Sequence, residues 1–383
     1  MLNRRHFLQA AAATALATRG AFATVPGEKR FVFIFLRGGL DGLHALAPFA
    51  DPAYRRLRPR LALGSDAVLS LDGYFGLPRA LAPLIPLFQD GELLLIPAVA
   101  TRYRSRSHFD GQNLLENGSA RPFGARDGWL NRAILGLNHG DRRLGLSLGP
   151  TVPLILRGGA GIQTYAVSPL PEVDDDYLFR LAQVYRSDPL FAQAFAAARA
   201  SAEPDVEGLG GGPLARQDFS LSARVAADLL SRATGPRIGV LEMQGWDTHF
   251  AQPGRLDTLL AALAGGIVAL RDGLGPAWRE TVVMVASEFG RTAAENGSRG
   301  TDHGTGGLAL LAGGAVAGGR IAGAWPGLSR TALFEGRDVA PVNAMESLFK
   351  AVLRDHLGVS ERALSDLVFP GGGAERAFDG LIR

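Results

Sequence analysis

Residues 29–48 read "KRFVFIFLRGGLDGLHALAP", and this stretch decides the fold. Phe31 to Leu36 is an unbroken apolar run of β-forming residues, with charge before it and Gly38-Gly39 after it. A strand with one wet face alternates polar and apolar residues, so a continuous run predicts a strand buried on both faces. Three runs share this character: "ELLLIPAV" at 92–99, "RIGVLEM" at 237–243 and "TVVMVAS" at 281–287. "GLALLAGG" at 307–314 adds a fifth.

Between two of these strands, "GRLDTLLAALAGGIVALRDGLG" at 254–275 places apolar residues at helical spacing. Strand, helix, strand implies a parallel sheet, and the whole predicts an α/β fold: a mostly parallel sheet flanked by helices. Near the C-terminus, Asn343 is expected to cap a helix whose Met345, Leu348, Phe349, Val352 and Leu353 form one apolar stripe before Gly358 ends it. Between about 174 and 235 the texture changes to an acidic start, alanine-rich helical patterns and the break "EGLGGGPLA" at 207–215. This reads as a helical insertion beside the sheet.

The chain has 383 residues and is 47% hydrophobic, enough to bury a large core as one domain over 24–383. Its opening, "NRRHFLQAAAATALATRGAFA" at 3–23, sets two arginines before a short apolar run that closes on an A-x-A pattern. That is the pattern of a twin-arginine export leader over residues 1–23, too short to span a bilayer. It predicts an exported, periplasmic protein that engages the twin-arginine machinery and keeps no stable membrane anchor. Removing the leader takes away three arginines and no acid, so the formal charge falls from +3 to zero. A balanced chain without a basic cluster argues against nucleic-acid binding. Zero cysteines suit an oxidising compartment.

The polar residues gather behind the strands. Asp41 follows the first, and "RYRSRSHFDGQN" at 102–113, with Ser107 and His108, follows the second. "QGWDTHF" brings Asp247 and His249, "SEFGRT" brings Glu288 and Arg291, and "RGTDHGTGG" at 299–307 brings Asp302 and His303. In an open parallel sheet these ends share one edge, where ligand sites form. Asp, Glu and His are ligands of hard and borderline divalent metals, and two such ions about 4 Å apart can hold both oxygens of an ester displacement. Arg291 can take an anionic group bidentately or form an ion pair. Each residue also has a plain reading: a lone Asp in a Gly-rich turn is a turn former, and a lone Ser caps helices. His44, His139 and His356 are read as structural.

Taken together, the leader, "RGGLDGLHALAP", "SRSHFDGQNLLENG", "DGWLNR", "QGWDTHF", "SEFGRT" and "GTDHGTGG" resemble a bacterial family of exported proteins, the domain of unknown function numbered fifteen-oh-one. That family in turn is similar to the alkaline phosphatase and sulfatase superfamily, a mostly parallel sheet with a two-metal site. The resemblance implies a periplasmic, metal-dependent hydrolase of small anionic esters at a one- or two-metal site. It makes Ser107 the nucleophile, and in the mechanism expected here Arg291 holds a non-bridging oxygen. The implied ligands are Asp41, His108, Asp247, His249, Glu288, Asp302 and His303, around zinc first, with manganese, calcium or magnesium as alternatives.

The pattern departs from the superfamily where Glu288-Phe289 stands in place of Asp-His, which leaves His108 or Asp302 to replace a missing histidine. Without cysteine no Cys-derived formylglycine can form, so phosphoester or phosphonate cleavage is expected ahead of sulfate. Two other readings stand beside this one. The first is a non-catalytic binding or assembly protein that retains the fold. The second is a metal-free serine hydrolase, for which the G-x-S-x-G elbow is missing.

Overall fold

The computed structural model describes residues 28–137, 144–149, 151–166, 175–200, 219–371 and 375–383. The proposed leader, His139, Asp174 and the 207–215 break lie outside the described residues. In chain order the strands are β1 (Arg30–Leu36), β2 (Val68–Ser70), β3 (Gly76–Pro78), β4 (Leu93–Ala100), β5 (Gly145–Leu148), β6 (Ile162–Tyr165), β7 (Ile238–Met243), β8 (Thr281–Ser287), β9 (Gly307–Ala312), β10 (Arg320–Ile321) and β11 (Asn343–Ala344). β2 and β3 pair as a small hairpin; the others form one sheet in the order β10-β4-β9-β8-β1-β7-β5-β6, with β11 on β4.

β1 sits at the centre, parallel to β7 on one side and β8 on the other. Side chains alternate along a strand, so both faces of β1 need cover. Phe31, Phe33 and Phe35 pack with Trp129, Phe349 and Phe369 on one face, while Val32, Ile34 and Leu36 pack with Leu230, Leu256 and Ile267 on the other. All seven β1 residues are buried, which is why the run lacks polar breaks.

Every pairing in the large sheet is parallel except those of β9, which runs antiparallel to both β4 and β8. The reversal has a consequence for the site. A strand antiparallel to β8 starts at the edge where β8 ends, so the 288–306 segment begins and ends at that edge. The five strands read from sequence all enter this sheet, whereas the short β5, β6, β10 and β11 have no run long enough to announce themselves.

Helices cover the faces. The Gln252–Leu274 helix turns Leu256, Leu260, Leu263, Ile267 and Leu270 into the core, as its spacing predicts. It is long and apolar enough to cross a membrane by length and composition, yet this stripe packs it on the sheet as a core helix. Of the stretch read as an insertion, helices Asp175–Tyr185 and Pro189–Ala200 are described. The following Phe219–Ser231 helix buries Leu221, Ala223, Val225 and Leu230 and belongs to the helical layer itself. The C-terminal helix begins at Met345, one residue later than expected. Asn343 does not cap it: its side chain donates to the carbonyls of Pro97 at 2.7 Å and Ala324 at 2.8 Å, tying β11 to β4.

Candidate metal centre

Four side chains converge at the C-terminal edge of the sheet. His108 opens the His108–Asn117 helix after β4, Asp247 and His249 follow β7, and His303 lies in the loop that leads into β9. His303 Nε2 is 2.9 Å from His108 Nε2, 2.9 Å from His249 Nε2 and 3.2 Å from Asp247 Oδ1. Asp247 Oδ1 is also 3.0 Å from His249 Nε2, and its Oδ2 is 3.5 Å from His108 Nε2. His108, Asp247 and His303 can each offer one ligand atom to a common point.

The other nitrogen of each ring is occupied. His108 Nδ1 faces Glu288 Oε1 at 2.7 Å, His249 Nδ1 faces Asp302 Oδ1 at 3.1 Å, and His303 Nδ1 faces the Arg106 carbonyl at 2.9 Å. Each partner can only accept, so each neutral ring carries its proton on Nδ1 and turns a bare lone pair on Nε2 toward the others. The His303 lone pair stands about 3 Å from those of both His108 and His249, an approach that repels unless a cation sits among them. Neighbouring ligands of a tetrahedral zinc stand about 3.3 Å apart, and the spacings here run from 2.9 to 3.5 Å. His108, Asp247 and His303 therefore fit a single divalent ion, with His249 Nε2 set against His303 and Asp247.

The surroundings tune these groups. Burial alone would push His108 down, but the Glu288 carboxylate against it holds it above the ordinary imidazole range. His303 has no carboxylate on its Nδ1, and burial, followed by its neighbours His108 and Arg291, pushes it down. Burial works against Glu288 ionising, yet hydrogen bonds from His108, Gln112 and Ser287 hold it below the ordinary carboxylate range. Its Oε1 also takes the Gly38 amide at 2.9 Å, so the "RGGLDG" loop is stitched to this acid. Phe289 packs its ring beneath His108 and His303, with centroids at 4.8 and 5.2 Å.

The glycines of "RGTDHGTGG" now have a reason. Gly300 lies against the backbone of His249 and Gly304 against that of Arg291, where a Cβ would overlap. The loop can approach only without side chains there, and that approach carries His303 to the cluster.

The nine residues singled out from sequence divide sharply. His108, Asp247, His249 and His303 meet at the centre. Glu288 and Asp302 stand behind the cluster, with oxygens facing the Nδ1 atoms of His108 and His249. Asp41 has partners of its own. Its Oδ2 is taken by Arg58 at 2.7 Å and Gln252 at 2.6 Å, in full burial, and burial against ionisation is outweighed by the Arg58 charge. Of the two readings open for Arg291, the ion pair is the one formed, with Asp247 at 2.6 Å. Its remaining donors go to Thr301 and the Gly38 carbonyl, and its side chain is wholly buried.

Ser107 is the N-cap residue of the 108–117 helix, half-buried, and its hydroxyl has no hydrogen-bond partner among the described residues. Its amide donates to the Tyr103 hydroxyl at 3.3 Å. The residue before it, Arg106, holds a left-handed φ of 63° and has its side chain pinned by Asp338 at 2.8 Å.

Sequence reasoning missed Arg106, Gln112, Gln252, Asn296 and Thr301, which act through backbone or amide groups. Gln112 alone carried a signal: it lies four residues after His108, on the same helical face, and donates to Glu288 at 3.0 Å.

Residues 104–367 match the family described as "Protein of unknown function (DUF1501)". The chain belongs to this family. The match spans the DUF1501 residues that carry His108, Asp247, His249 and His303. Among solved structures, the chain is similar to Ps i-CgsB in complex with k-i-k-neocarrahexaose, at 12% identity and TM-score 0.43 over 87% of this chain and 72% of that one. It is similar to the phosphonate monoester hydrolase of Agrobacterium radiobacter, at 14% identity and TM-score 0.36 over 87% and 74%. A putative sulfatase from Bacteroides thetaiotaomicron follows at 10% identity and TM-score 0.34 over 76% and 65%. None of the curated proteins matches the chain.

Proposed function

We propose that His108, Asp247, His249 and His303 hold one divalent cation, zinc first, and that the protein is a metal-dependent hydrolase of small anionic esters. Phosphoesters or phosphonates stand ahead of sulfates as substrates. The observation that carries this reading is the convergence of three Nε2 lone pairs on a carboxylate, with every Nδ1 committed elsewhere. An ion held there supplies Lewis acidity toward an anionic oxygen. One ion is proposed rather than two because Asp41 Oδ2 is held by Arg58 and Gln252, which leaves only its buried Oδ1 without a partner among the described residues.

The chain's own groups would do the rest. Ser107 offers an unpartnered hydroxyl at a helix N-terminus, where the aligned peptide dipoles favour negative charge. Tyr103 holds that turn from its other side, donating to Asp110 at 3.0 Å. Arg291 keeps Asp247 ionised and oriented, its charge outweighing the burial that opposes ionisation. The leader pattern adds the proposal of twin-arginine export to the periplasm, a route that carries folded, metal-loaded proteins.

Elemental analysis of the mature protein is the test. About one equivalent of a divalent metal is expected, lost in His108→Ala and His303→Ala, with ester turnover that Ser107→Ala abolishes. A wild-type protein that stays metal-free after reconstitution would overturn the reading. The commitment of Arg291 to Asp247 favours a second reading, a binding or assembly protein that keeps the ion without turnover. Bound metal with no turnover of phosphate, phosphonate or sulfate esters would select it.

A further inference from the structure

Two of the converging histidines are each followed by a phenylalanine that the fold leaves in water. Phe109 is 85% exposed and Phe250 61% exposed. Because His108 and His249 both reach within 2.9 Å of His303 Nε2, the two phenylalanines directly follow residues of one centre. An exposed phenylalanine forgoes the burial that most of this chain's aromatics obtain, and paired at a site it marks a surface for an apolar group.

The rings are presented by backbone that resists collapse. Arg106, three residues before Phe109, and Ala251, directly after Phe250, hold left-handed φ values of 63° and 46°. Non-glycine residues enter that region at a cost and stay only when neighbours hold them there. Here the Ala251 amide is bound to the Ser298 carbonyl at 3.1 Å, and the Gln252 amide to that of Arg299 at 2.9 Å. The Arg255 guanidinium lies over the Phe250 ring at 4.9 Å and has no carboxylate partner among the described residues. The mouth thus combines aromatic faces with an uncompensated cation beside a cation-holding centre. That chemistry matches a ligand with an anionic head and a flat apolar body.

We propose that Phe109 and Phe250 clamp the organic part of the substrate, and that the protein takes aryl rather than small alkyl esters. The inference rests on the anionic-ester reading above. It makes the two rings specificity determinants with no part in holding the metal.

The test uses inert probes, so turnover is not needed. Phenylphosphonate and methylphosphonate are titrated calorimetrically into zinc-reconstituted protein of verified metal content, wild type and a Phe109→Ala/Phe250→Ala double variant. Wild type should bind the phenyl compound about tenfold tighter, because the ring buries apolar area against two faces. The double variant should lose that preference while its methylphosphonate affinity and metal content stay unchanged, and Phe109→Tyr/Phe250→Tyr should retain it. Equal affinities in wild type, or a preference that survives the double alanine variant, would overturn the clamp and leave the anionic-ester reading intact. Failure of wild type to bind either phosphonate would overturn both.

Discussion

Glu288 Oε1 lies 2.7 Å from His108 Nδ1 and simultaneously accepts the amides of Gly38 and Gln112. One buried carboxylate thereby joins the loop after β1, the helix after β4 and the end of β8. It also decides which nitrogen of His108 faces the centre.

Glu288→Gln should test that role. The amide keeps the shape but loses the charge that favours a proton on Nδ1, so metal affinity should fall about 10–100-fold. Competition with a chromogenic chelator reads the affinity, and circular dichroism checks that the fold is kept. Unchanged affinity would show that Glu288 is only a structural link.

Asp41 and Arg58 give a contrasting prediction. Arg58→Met strips the cation from a fully buried carboxylate and should cost about 3–5 kcal/mol of stability, read by urea unfolding. Asp41→Asn should leave the metal content at the wild-type level, since its oxygen contacts Arg58 and Gln252 rather than the cluster. Metal loss in Asp41→Asn would reinstate it as a ligand.

Arg106 couples strain to orientation through its carbonyl bond to His303. Arg106→Ala loses the Asp338 ion pair and keeps the left-handed penalty, whereas Arg106→Gly relieves a penalty of about 1–2 kcal/mol. The glycine variant should therefore bind metal more tightly than the alanine variant. Equal affinities would mean that this turn's backbone does not set the His303 ring.

His356 sets an acid limit on stability. Burial pushes its pKa down to about 4, with Nε2 donating to the Arg30 carbonyl at 2.8 Å. Because the folded value lies below the unfolded one, the unfolded chain binds more protons as pH falls. The contribution is complete above about 6.5 and is lost as pH drops toward 4. At pH 4.5 this single group should have removed roughly 2.5 kcal/mol. His356→Gln keeps a donor without the titration, so metal-free variant protein should lose correspondingly less stability between pH 7 and pH 4.5. An identical loss in both proteins would place the acid limit elsewhere.

Much of the site was legible because its residue types were out of place. Histidines are scarce in this chain, and four stretches at strand ends combined them with acids or glycines. The role of each acid was not legible. Asp302 and Asp247 look alike in sequence, both one or two residues from a histidine in a polar loop. Asp247 faces the centre, and Asp302 faces the back of His249. The choice between anion holder and ion pair for Arg291 stayed open for a related reason, since a free guanidinium and one buried on a carboxylate have the same sequence.

The sequence by itself determined the layered α/β fold, because a strand covered on both faces must be apolar at every position and a covering helix must be apolar every three or four. It also determined which edge would carry the chemistry, since polar residues are excluded from the strands and collect at their ends. Only the tertiary structure decided which nitrogen and oxygen atoms converge. Those assignments depend on distances of about 3 Å between segments as many as 195 residues apart. They depend too on close backbone approaches at Gly300 and Gly304 and on guanidinium ions that claim Asp41 and Asp247 first. Burial periodicity is a local property written along the chain, whereas the choice of partner for a charge is made by whatever the fold brings nearest.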